Sequence, residues 1–196
     1  PSGLIDRRHA PDIADARPGT IATLTVTVDG HRPSRNKRQP YRIQCSDNTG
    51  GIELVFFHAR ADYLEKTLPI GETRIVSGRI EEFSGGLQIT HPDHIGTLAE
   101  REKLMAVEPV YPLTAGVSLK VLGKAVGKAV AAAPVLEEWL DPALVQREQW
   151  PAWQDALITA HAPAAETDLA AEAPARRRLA YDELLANQLA LAVMRQ

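Results

Sequence analysis

The chain has 196 residues, of which 44% are hydrophobic and 24% charged, and its formal net charge is −3. This length suits one large domain or two small ones, and the charge balance by itself does not indicate nucleic-acid binding. A single cysteine, Cys45, excludes an internal disulfide and any zinc site that needs several cysteines.

The sequence favours a cytoplasmic protein without a membrane segment. The N-terminus is polar and has no apolar signal region. The longest apolar-rich run, around 126–136, is interrupted by Lys128 and Pro134 and is too short to span a bilayer. Because the chain opens at Pro1 without a methionine, we expect it to be a piece of a longer protein.

Residues 21–91 are expected to be all-β. Five segments have the alternation and composition of strands, namely 21–28, 41–46, 51–57, 73–82 and 87–90. Gly78 indicates a bulge or bend in the fourth segment, and a short helix at 60–67 separates the third from the fourth. This is the order of an OB-fold barrel, which binds ligands on its second and third strands and the flanking loops.

The third predicted strand ends in two adjacent aromatic residues. Because side chains alternate along a strand, Phe56 shares one face with Ile52, and Phe57 shares the other with Glu53 and Val55. Glu53 marks the second face as the solvated one, so Phe57 should be exposed and suited to stacking on an unpaired base. Burial of Phe57 under a neighbouring loop is the alternative, and the commoner fate of an aromatic residue.

A basic segment lies between the first two predicted strands. Residues 29–40 are rich in Gly, Pro, Ser and Asn, which predicts a loop or a flexible hairpin tip. Residues 32–42 contain no acidic side chain and five cations: Arg32, Arg35, Lys37, Arg38 and Arg42. In the order of an OB fold this segment falls near Phe57, although a solvated, disordered tip is the alternative.

From Glu100 onward the apolar spacing becomes helical. Helices are predicted at about 119–130, 142–147, 151–161 and 175–194, with a mobile linker at 162–174. Gly123 and Gly127 on the first of these indicate close packing. The expected fold class is α+β, a five-stranded OB-fold barrel in residues 1–98 followed by a small all-α region in residues 99–196.

Other side chains of the helical half have structural alternatives. The three tryptophans could stack on bases, but their apolar neighbours favour core packing; they are Trp139, Trp150 and Trp153. The Arg-Arg-Arg run at 176–178 could touch DNA, or could cap the last helix or form a solvated face. The apolar side of that helix, with Leu184, Leu185 and Leu191, is expected to pack on material outside this chain or on a second copy.

No catalytic motif is present. The G-x-x-x-x-G-K-[ST] loop of a nucleotide motor is missing, since the Gly-Lys-Ala triplets at 123–125 and 127–129 lack its magnesium-binding hydroxyl. His91, Asp93 and His94 could hold a metal ion, but a structural role at the end of a strand is favoured. We therefore expect no catalytic residue, metal or cofactor in this chain.

Five short segments, in order and covering nearly the whole chain, form a recognisable set. They are Leu-Ile-Asp-Arg-Arg at 4–8, Val-Phe-Phe at 55–57, Gly-Gly-Leu-Gln-Ile-Thr-His-Pro at 85–92, Val-Tyr-Pro-Leu-Thr-Ala-Gly at 110–116 and Ala-Arg-Arg-Arg-Leu-Ala-Tyr-Asp-Glu-Leu-Leu at 175–185. Together they resemble the wedge domain of RecG, the bacterial branched-DNA helicase. Two features depart from the family pattern: Ala115 stands where the family usually has Glu, and 162–174 is longer and richer in Ala. In that family the last motif precedes the ATPase motor, so we expect the motor domains to lie outside this chain.

The resemblance implies a function. It implies a DNA-binding wedge that splits stalled replication forks and four-way junctions in DNA repair and recombination, driven by motor domains that use ATP and Mg²⁺. Phe57 and Phe56 would stack on bases at the branch point. Phosphate contacts without sequence preference would come from Arg32, Arg35, Lys37, Arg38 and Arg42.

Two other functions remain open on the sequence. The first is a structural scaffold that holds partner proteins, which the apolar face of the last helix and the acidic second half of the chain suggest. The second is a general single-strand-binding OB protein. The first would ignore DNA, whereas the second would bind a long single strand more tightly than a fork.

Overall fold

A computed structural model describes residues 1–34, 36 and 39–195. The predicted phosphate-contacting residues Arg35, Lys37 and Arg38 lie outside the described residues. The chain forms two compact units, a barrel unit (Asp6–Ala106) and a helical unit (Pro1–Ile5 with Val107–Gln196). The domain boundary predicted at 98/99 stays a prediction.

Nine strands and six α-helices are described, together with three short 3-10 helices. In chain order they are β1 (Gly3–Asp6), a 3-10 helix (Ile13–Asp15), β2 (Ile21–Arg32), β3 (Tyr41–Ser46), β4 (Gly51–Phe56), α1 (Ala61–Thr67), β5 (Thr73–Arg79), β6 (Glu81–Phe83), β7 (Gly86–Thr90), β8 (His94–Gly96), a 3-10 helix (Leu98–Glu100), α2 (Arg101–Leu104), β9 (Val107–Val110), α3 (Leu119–Ala131), α4 (Pro142–Glu148), α5 (Trp153–His161), a 3-10 helix (Glu166–Leu169) and α6 (Pro174–Met194).

Seven strands form one sheet in the order β6-β7-β4-β3-β2-β5-β8. Every neighbouring pair is antiparallel except β4 and β7, which are parallel. Only Ile80 separates β5 from β6, although the two lie near opposite ends of this order, so the sheet curves round and closes as a barrel. The predicted OB fold is therefore confirmed, with α1 between the third and fourth of the predicted strands. The sheet has seven strands instead of the expected five, because the fourth predicted strand is divided into β5 and β6 and because β8 joins the sheet.

The prediction that 29–40 is a loop is wrong for its first residues, because β2 continues to Arg32. The register of β2 shifts once after Val28, and Arg32 then pairs with Arg42 of β3. His31 contributes to this extension through a 2.9 Å hydrogen bond between its Nδ1 and the Tyr41 hydroxyl. The apolar alternation that marks the strand stops at Val28, so the sequence did not reveal the rest of it.

Gly78 does not form the predicted bulge or bend. It pairs with Ala22 in an unbroken register between β2 and β5. A Cβ on Gly78 would lie 2.7 Å from Cγ2 of Ile89, so the glycine allows a close approach across the barrel. The break between β5 and β6 falls at Ile80, whose N–H donates to the carbonyl of Thr20 at 2.8 Å.

The barrel core consists of the side chains that alternate inward along the strands, closed by Leu64 and Leu68 of α1. It includes Ala22, Leu24, Val26, Val28, Tyr41, Ile43, Cys45, Ile52, Leu54, Phe56, Val76, Ile80 and Ile89. Burial raises the pKa of the Cys45 thiol to about 12, with a further contribution from the charge of Asp29. Cys45 is thus a small side chain of the core whose thiol stays protonated at neutral pH.

Two of the described α-helices, α3 and α4, begin at a side-chain cap, Ser118 and Asp141 respectively. The Asp141 carboxylate accepts a hydrogen bond from the Ala143 N–H at 2.8 Å, and Pro142 is the first residue of α4. The close packing expected at Gly123 and Gly127 is absent, because a Cβ at either position of α3 would meet nothing within 4 Å. Within the described residues, none of the helices is long and apolar enough to cross a bilayer.

The arginine run of α6 is engaged inside the helical unit. Arg178 is fully buried and donates to both carboxylate oxygens of Glu138 at 2.6 and 2.9 Å and to Asp182 at 2.8 Å. Trp150 is buried as predicted, but the prediction of core packing is wrong for Trp139, which is 44% exposed. Trp139 instead lies over the Arg178 guanidinium, 5.0 Å from the ring centre.

Candidate nucleic-acid interface

The hairpin register places the two sequence-predicted features at one edge of the barrel. Tyr41, the first residue of β3, pairs with Phe56, the last residue of β4, and Arg42 pairs with Val55. Phe57 follows at once, and the chain entering β3 at this edge is the end of the basic segment. The predicted stacking residue and the described cations Arg32 and Arg42 therefore share this end of the β3–β4 ladder.

Phe56 and Phe57 have opposite environments. Phe56 is 7% exposed and belongs to the barrel core, whereas Phe57 is 45% exposed. The prediction that Phe57 is the exposed aromatic is confirmed. Val55 was expected to be exposed because it shares a face with Glu53, but only 2% of its surface is exposed. Its strand lies between β3 and β7, so neighbours flank Val55 on both sides.

His91 holds the position of Phe57. The Phe57 N–H donates to Nε2 of His91 at 3.1 Å, and the His91 N–H donates to the carbonyl of Val55 at 2.9 Å. The imidazole centre lies 5.8 Å from the Phe57 ring and 6.1 Å from the Phe56 ring. His91 adopts a left-handed backbone conformation, with φ of 48°, which turns its ring towards both aromatics.

The structural role predicted for the His-Pro segment is supported by its partners. Asp93 forms an ion pair with the buried Arg7 at 3.0 Å, and His91 is occupied by Phe57. Among the residues that the structure describes, no group of three His, Cys, Asp or Glu side chains could hold a metal ion.

An open hollow of about 610 Å³ lies beside Phe57, between the end of β4 and α1. Tyr63 lines it from α1 and is 60% exposed. Arg60 and Lys66 add cations to its rim, although Arg60 is paired with Asp62 at 2.8 Å. A hollow between two exposed aromatic rings, with cations at the rim, has the chemistry of a site for an unpaired base. The sequence did not single out Tyr63.

The outer side of the sheet carries a patch of six polar side chains and one phenylalanine, here called the polar face. Its members lie on β3, β4, β6 and β7 and are Arg42, Gln44, Glu53, Glu81, Phe83, Gln88 and Thr90. Glu53 is central, since Arg42 contacts it at 2.5 Å and Arg32 at 3.6 Å. The Arg32 side chain is 62% exposed and that of Arg42 is 28% exposed, so Arg32 is the more accessible of the two to a phosphate.

Phe83 is the aromatic that the sequence reasoning missed. It ends β6 beside the Ser84–Gly85 turn and is 56% exposed. The guanidinium carbon of Arg42 lies 5.7 Å from its ring centre. The sequence could have revealed this residue. Phe83 is two residues after Glu81, so alternation places it on the same solvated face, next to the Ser-Gly-Gly turn.

Comparison with known proteins agrees with this geometry. Residues 22–94 match the family of the OB-fold nucleic acid binding domain. The chain is 30% identical over 198 residues to the ATP-dependent DNA helicase RecG of Escherichia coli O127:H6, an alignment that covers 97% of this chain and 28% of that protein. It is 27% identical over 197 residues to the ATP-dependent DNA helicase RecG of Acidithiobacillus ferridurans, covering 100% of this chain and 28% of that protein.

A solved structure shares the fold over the whole chain. It is RecG bound to a three-way DNA junction, with a TM-score of 0.76 and 25% identity, covering 100% of this chain and 27% of that one. The chain thus spans little more than a quarter of the length of the curated relatives it matches. The chain is therefore homologous to RecG over nearly its whole length and corresponds to the wedge region of those proteins, built around an OB fold.

Proposed function

We propose that this chain is the branch-binding wedge of a RecG-type, ATP-dependent branched-DNA helicase, and that Phe57 stacks on an unpaired base where a duplex splits. The observation that carries this proposal is the exposed Phe57 ring, fixed by His91 at the end of β4. It lies at the same end of the ladder as the β2–β3 hairpin and its cations. A relative of the same fold has been solved with a three-way DNA junction.

The chemistry suits a wedge. Stacking of a base on an aromatic ring is worth about 1–3 kcal/mol, enough to hold one unpaired base against restacking in the duplex. Every base has a flat face, so the contact requires no particular sequence. Phe56 has little free surface, because it is in the core, so we assign the stacking to Phe57. Phe56 contributes by anchoring the strand end.

Phosphate contacts complete the proposal. Arg32 and Arg42, together with the sequence-predicted Arg35, Lys37 and Arg38, would lie along the backbone of the bound strand. Each contact releases about one condensed counterion, so affinity should fall steeply with salt and depend little on sequence.

The energy for strand separation would come from elsewhere in a longer protein. The chain has no phosphate-binding loop, so ATP and Mg²⁺ belong, in this proposal, to motor domains like those of its longer relatives. The partners are branched DNA and those motor domains. A cytoplasmic location belongs to the same proposal, because the wedge must reach DNA.

Binding measurements test the proposal. The affinity of the chain for a model fork, a duplex and a single strand of equal length should be measured at two salt concentrations. We expect the fork to bind most tightly, and Phe57→Ala to weaken fork binding about 5- to 150-fold, the equivalent of one lost stack. Ile70→Ala is the matched control, since Ile70 is 64% exposed on a turn of the same unit.

Three outcomes would contradict the proposal. Equal affinity for fork and duplex, with no effect of Phe57→Ala, removes the wedge assignment. Tighter binding to the single strand than to the fork indicates a general single-strand-binding protein. A chain that ignores all DNA at low salt but captures a protein through the apolar side of α6 indicates a scaffold.

A further inference from the structure

We propose that Phe83 and the Arg42 guanidinium that lies over it form a second DNA-binding site, which takes an unpaired strand leaving the branch point. This inference rests on the proposed function, since it assumes that the polar face meets DNA. It assigns a ligand class, unpaired polynucleotide, to an aromatic residue that lies away from Phe57.

The turn that carries Phe83 is preorganised. Phe83 and Gly86 pair across a two-residue turn, in which Ser84 and Gly85 both have positive φ, 52° and 79°. Such a turn matches the twist of its strands and keeps a hairpin short and rigid. More than half of the Phe83 surface is exposed, so the ring can accept a base without first moving away from the core.

Phe83 lies at the opposite end of β4 from Phe57, and Arg42, whose backbone pairs with Val55 near the Phe57 end, reaches its ring with the guanidinium. Gly86, the partner of Phe83, precedes Leu87, which pairs with Ile52 near the start of β4. Phe57 follows the other end of the same strand. Six residues of strand span about 17 Å, so the two aromatics cannot stack on the same base. A strand that contacts both must run along the polar face for several nucleotides.

The charges on the polar face orient that strand. Arg32 and Arg42 lie on the β2–β3 side, where Glu53 holds them. On the β6–β7 side, hydrogen bonds from Thr90 and Gln88 lower the pKa of Glu81 and keep it anionic. Phosphates should therefore follow β2 and β3, with the bases turned towards Phe83.

Glu53 competes with the DNA backbone in this arrangement. Its carboxylate occupies the guanidinium of Arg42 and lies close to that of Arg32. A phosphate that binds either arginine must displace Glu53 or share the cation with it. Removing the charge of Glu53 should therefore strengthen DNA binding, the reverse of what a stabilising ion pair alone would predict.

The first experiment uses three DNA ligands and the full chain. They are a fork with one unpaired arm, a fork whose arms are all duplex up to the branch point, and a free single strand. Affinities are measured for the wild type, Phe83→Ala, Phe83→Trp, Phe57→Ala and the control Ile70→Ala. Thermal unfolding of each variant shows that the exposed substitutions leave the fold intact.

The pattern of losses decides between the sites. We expect Phe83→Ala to weaken binding of the unpaired-arm fork and of the free strand about 5- to 150-fold, to leave the all-duplex fork unchanged, and to be rescued by tryptophan. Phe57→Ala should weaken binding to both forks. An unchanged affinity of Phe83→Ala for the unpaired arm overturns the second site, and an equal loss on both forks overturns its assignment to an unpaired strand.

The two proposals can fail separately. If the wild type shows no preference for a fork over a duplex, the wedge function fails, while the Phe83 site is still judged on the free single strand. If Phe57→Ala weakens fork binding and Phe83→Ala changes nothing, the wedge function stands and the second site is rejected.

The second experiment tests the competition by Glu53. Glu53→Gln should raise affinity for the unpaired-arm fork several-fold and steepen its salt dependence, because two arginines become free for phosphates. Glu102→Gln makes the same change of charge on the exposed side of α2 and should have little effect. An affinity of Glu53→Gln that is unchanged or lower overturns the proposed path of the phosphates.

Discussion

Phe56 and Phe57 are adjacent in the chain but differ in what surrounds them. Phe56 points into the barrel and packs among aliphatic side chains, whereas nearly half of Phe57 faces solvent. His91 touches both rings and accepts the N–H of Phe57. Phe56 therefore anchors the end of β4 in the core, and this anchored backbone holds Phe57 at the surface.

Truncation of the buried ring should therefore act on stability. We expect Phe56→Ala to lower the free energy of unfolding by about 3–5 kcal/mol, the usual cost of removing a buried aromatic side chain and leaving a cavity. Phe57→Ala should change the free energy of unfolding by less than about 1 kcal/mol. Urea unfolding of both variants measures the difference, and equal losses would contradict the division of roles.

Alternation along a strand was enough to predict which of the two phenylalanines is exposed. The same reasoning could not predict the contact between Phe83 and Arg42, because it depends on the register of strands that are distant in sequence. Val55 shows the same limit: alternation gives its face correctly, but does not reveal that Val55 is buried there, between Arg42 of β3 and Thr90 of β7. Periodicity reports the face of a side chain, not what covers that face.

Among the elements, β5 and α3 both contain glycines that the sequence could not distinguish. Gly78 of β5 lies so close to the Ile89 side chain that there is no room for a Cβ atom. Gly127 lies on α3 with open space around it. Both glycines stood out as interruptions of a regular pattern, and only the surrounding atoms show that one is required and the other is not.

The same substitution at these two sites should have opposite effects. Gly78→Ala should destabilise the barrel unit by about 1–3 kcal/mol, because its methyl group would overlap Ile89. Gly127→Ala should stabilise the helical unit by about 0.5–1 kcal/mol, because alanine restricts the unfolded chain and favours helix.

Two spectroscopic signals can follow the two units. All three tryptophans lie in the helical unit, so their fluorescence reports its unfolding, and circular dichroism reports loss of both units. If Gly127→Ala destabilises the helical unit, the space beside Gly127 is too small for a methyl group, which would contradict the prediction. A neutral Gly78→Ala would show that Ile89 can move aside.

The element order of the barrel was predictable because its strands are short, regular and separated by Gly, Pro and Asn turns. The extension of β2 to Arg32 was not predictable. The residues there pair with β3 through their backbone, but their side chains do not alternate between apolar and polar. The helix caps at Ser118 and Asp141 follow local rules and need no tertiary information. The helices and strands could therefore be predicted from local sequence, whereas the side-chain contacts of the polar face depend on the pairing of strands that are distant in sequence.

Across the whole molecule, the carboxyl groups of the described residues whose pKa departs from its ordinary value all have a lowered pKa. A hydrogen bond from Arg8 lowers the pKa of Asp6 to about 2. Hydrogen bonds from Thr90 and Gln88 lower the pKa of Glu81, and a hydrogen bond from Arg178 lowers that of Glu138. These groups are spread over both units, so the effect of acid is not confined to one site.

The sign of the pH dependence follows from these directions. A carboxylate with a folded-state pKa below its unfolded value stabilises the fold at pH values above the unfolded pKa, near 4, and loses that contribution as pH falls through the folded pKa. Burial also lowers the pKa of His161, so the unfolded chain binds its proton more readily and acid again favours unfolding. Acidification therefore acts against both units in the same direction.

We expect the urea midpoint of the chain to fall slightly below about pH 6.5, where His161 begins to be protonated in the unfolded chain, and then to fall more steeply from about pH 5 towards pH 2. Glu138→Gln should unfold at lower urea at pH 7, because Arg178 loses one of its two anionic partners, but its midpoint should fall less between pH 5 and pH 3. The two curves should therefore converge in acid. A wild-type midpoint that stays level from pH 7 to pH 3 would contradict the lowered pKa values, and parallel curves would exclude the contact between Glu138 and Arg178 as a source of the acid sensitivity.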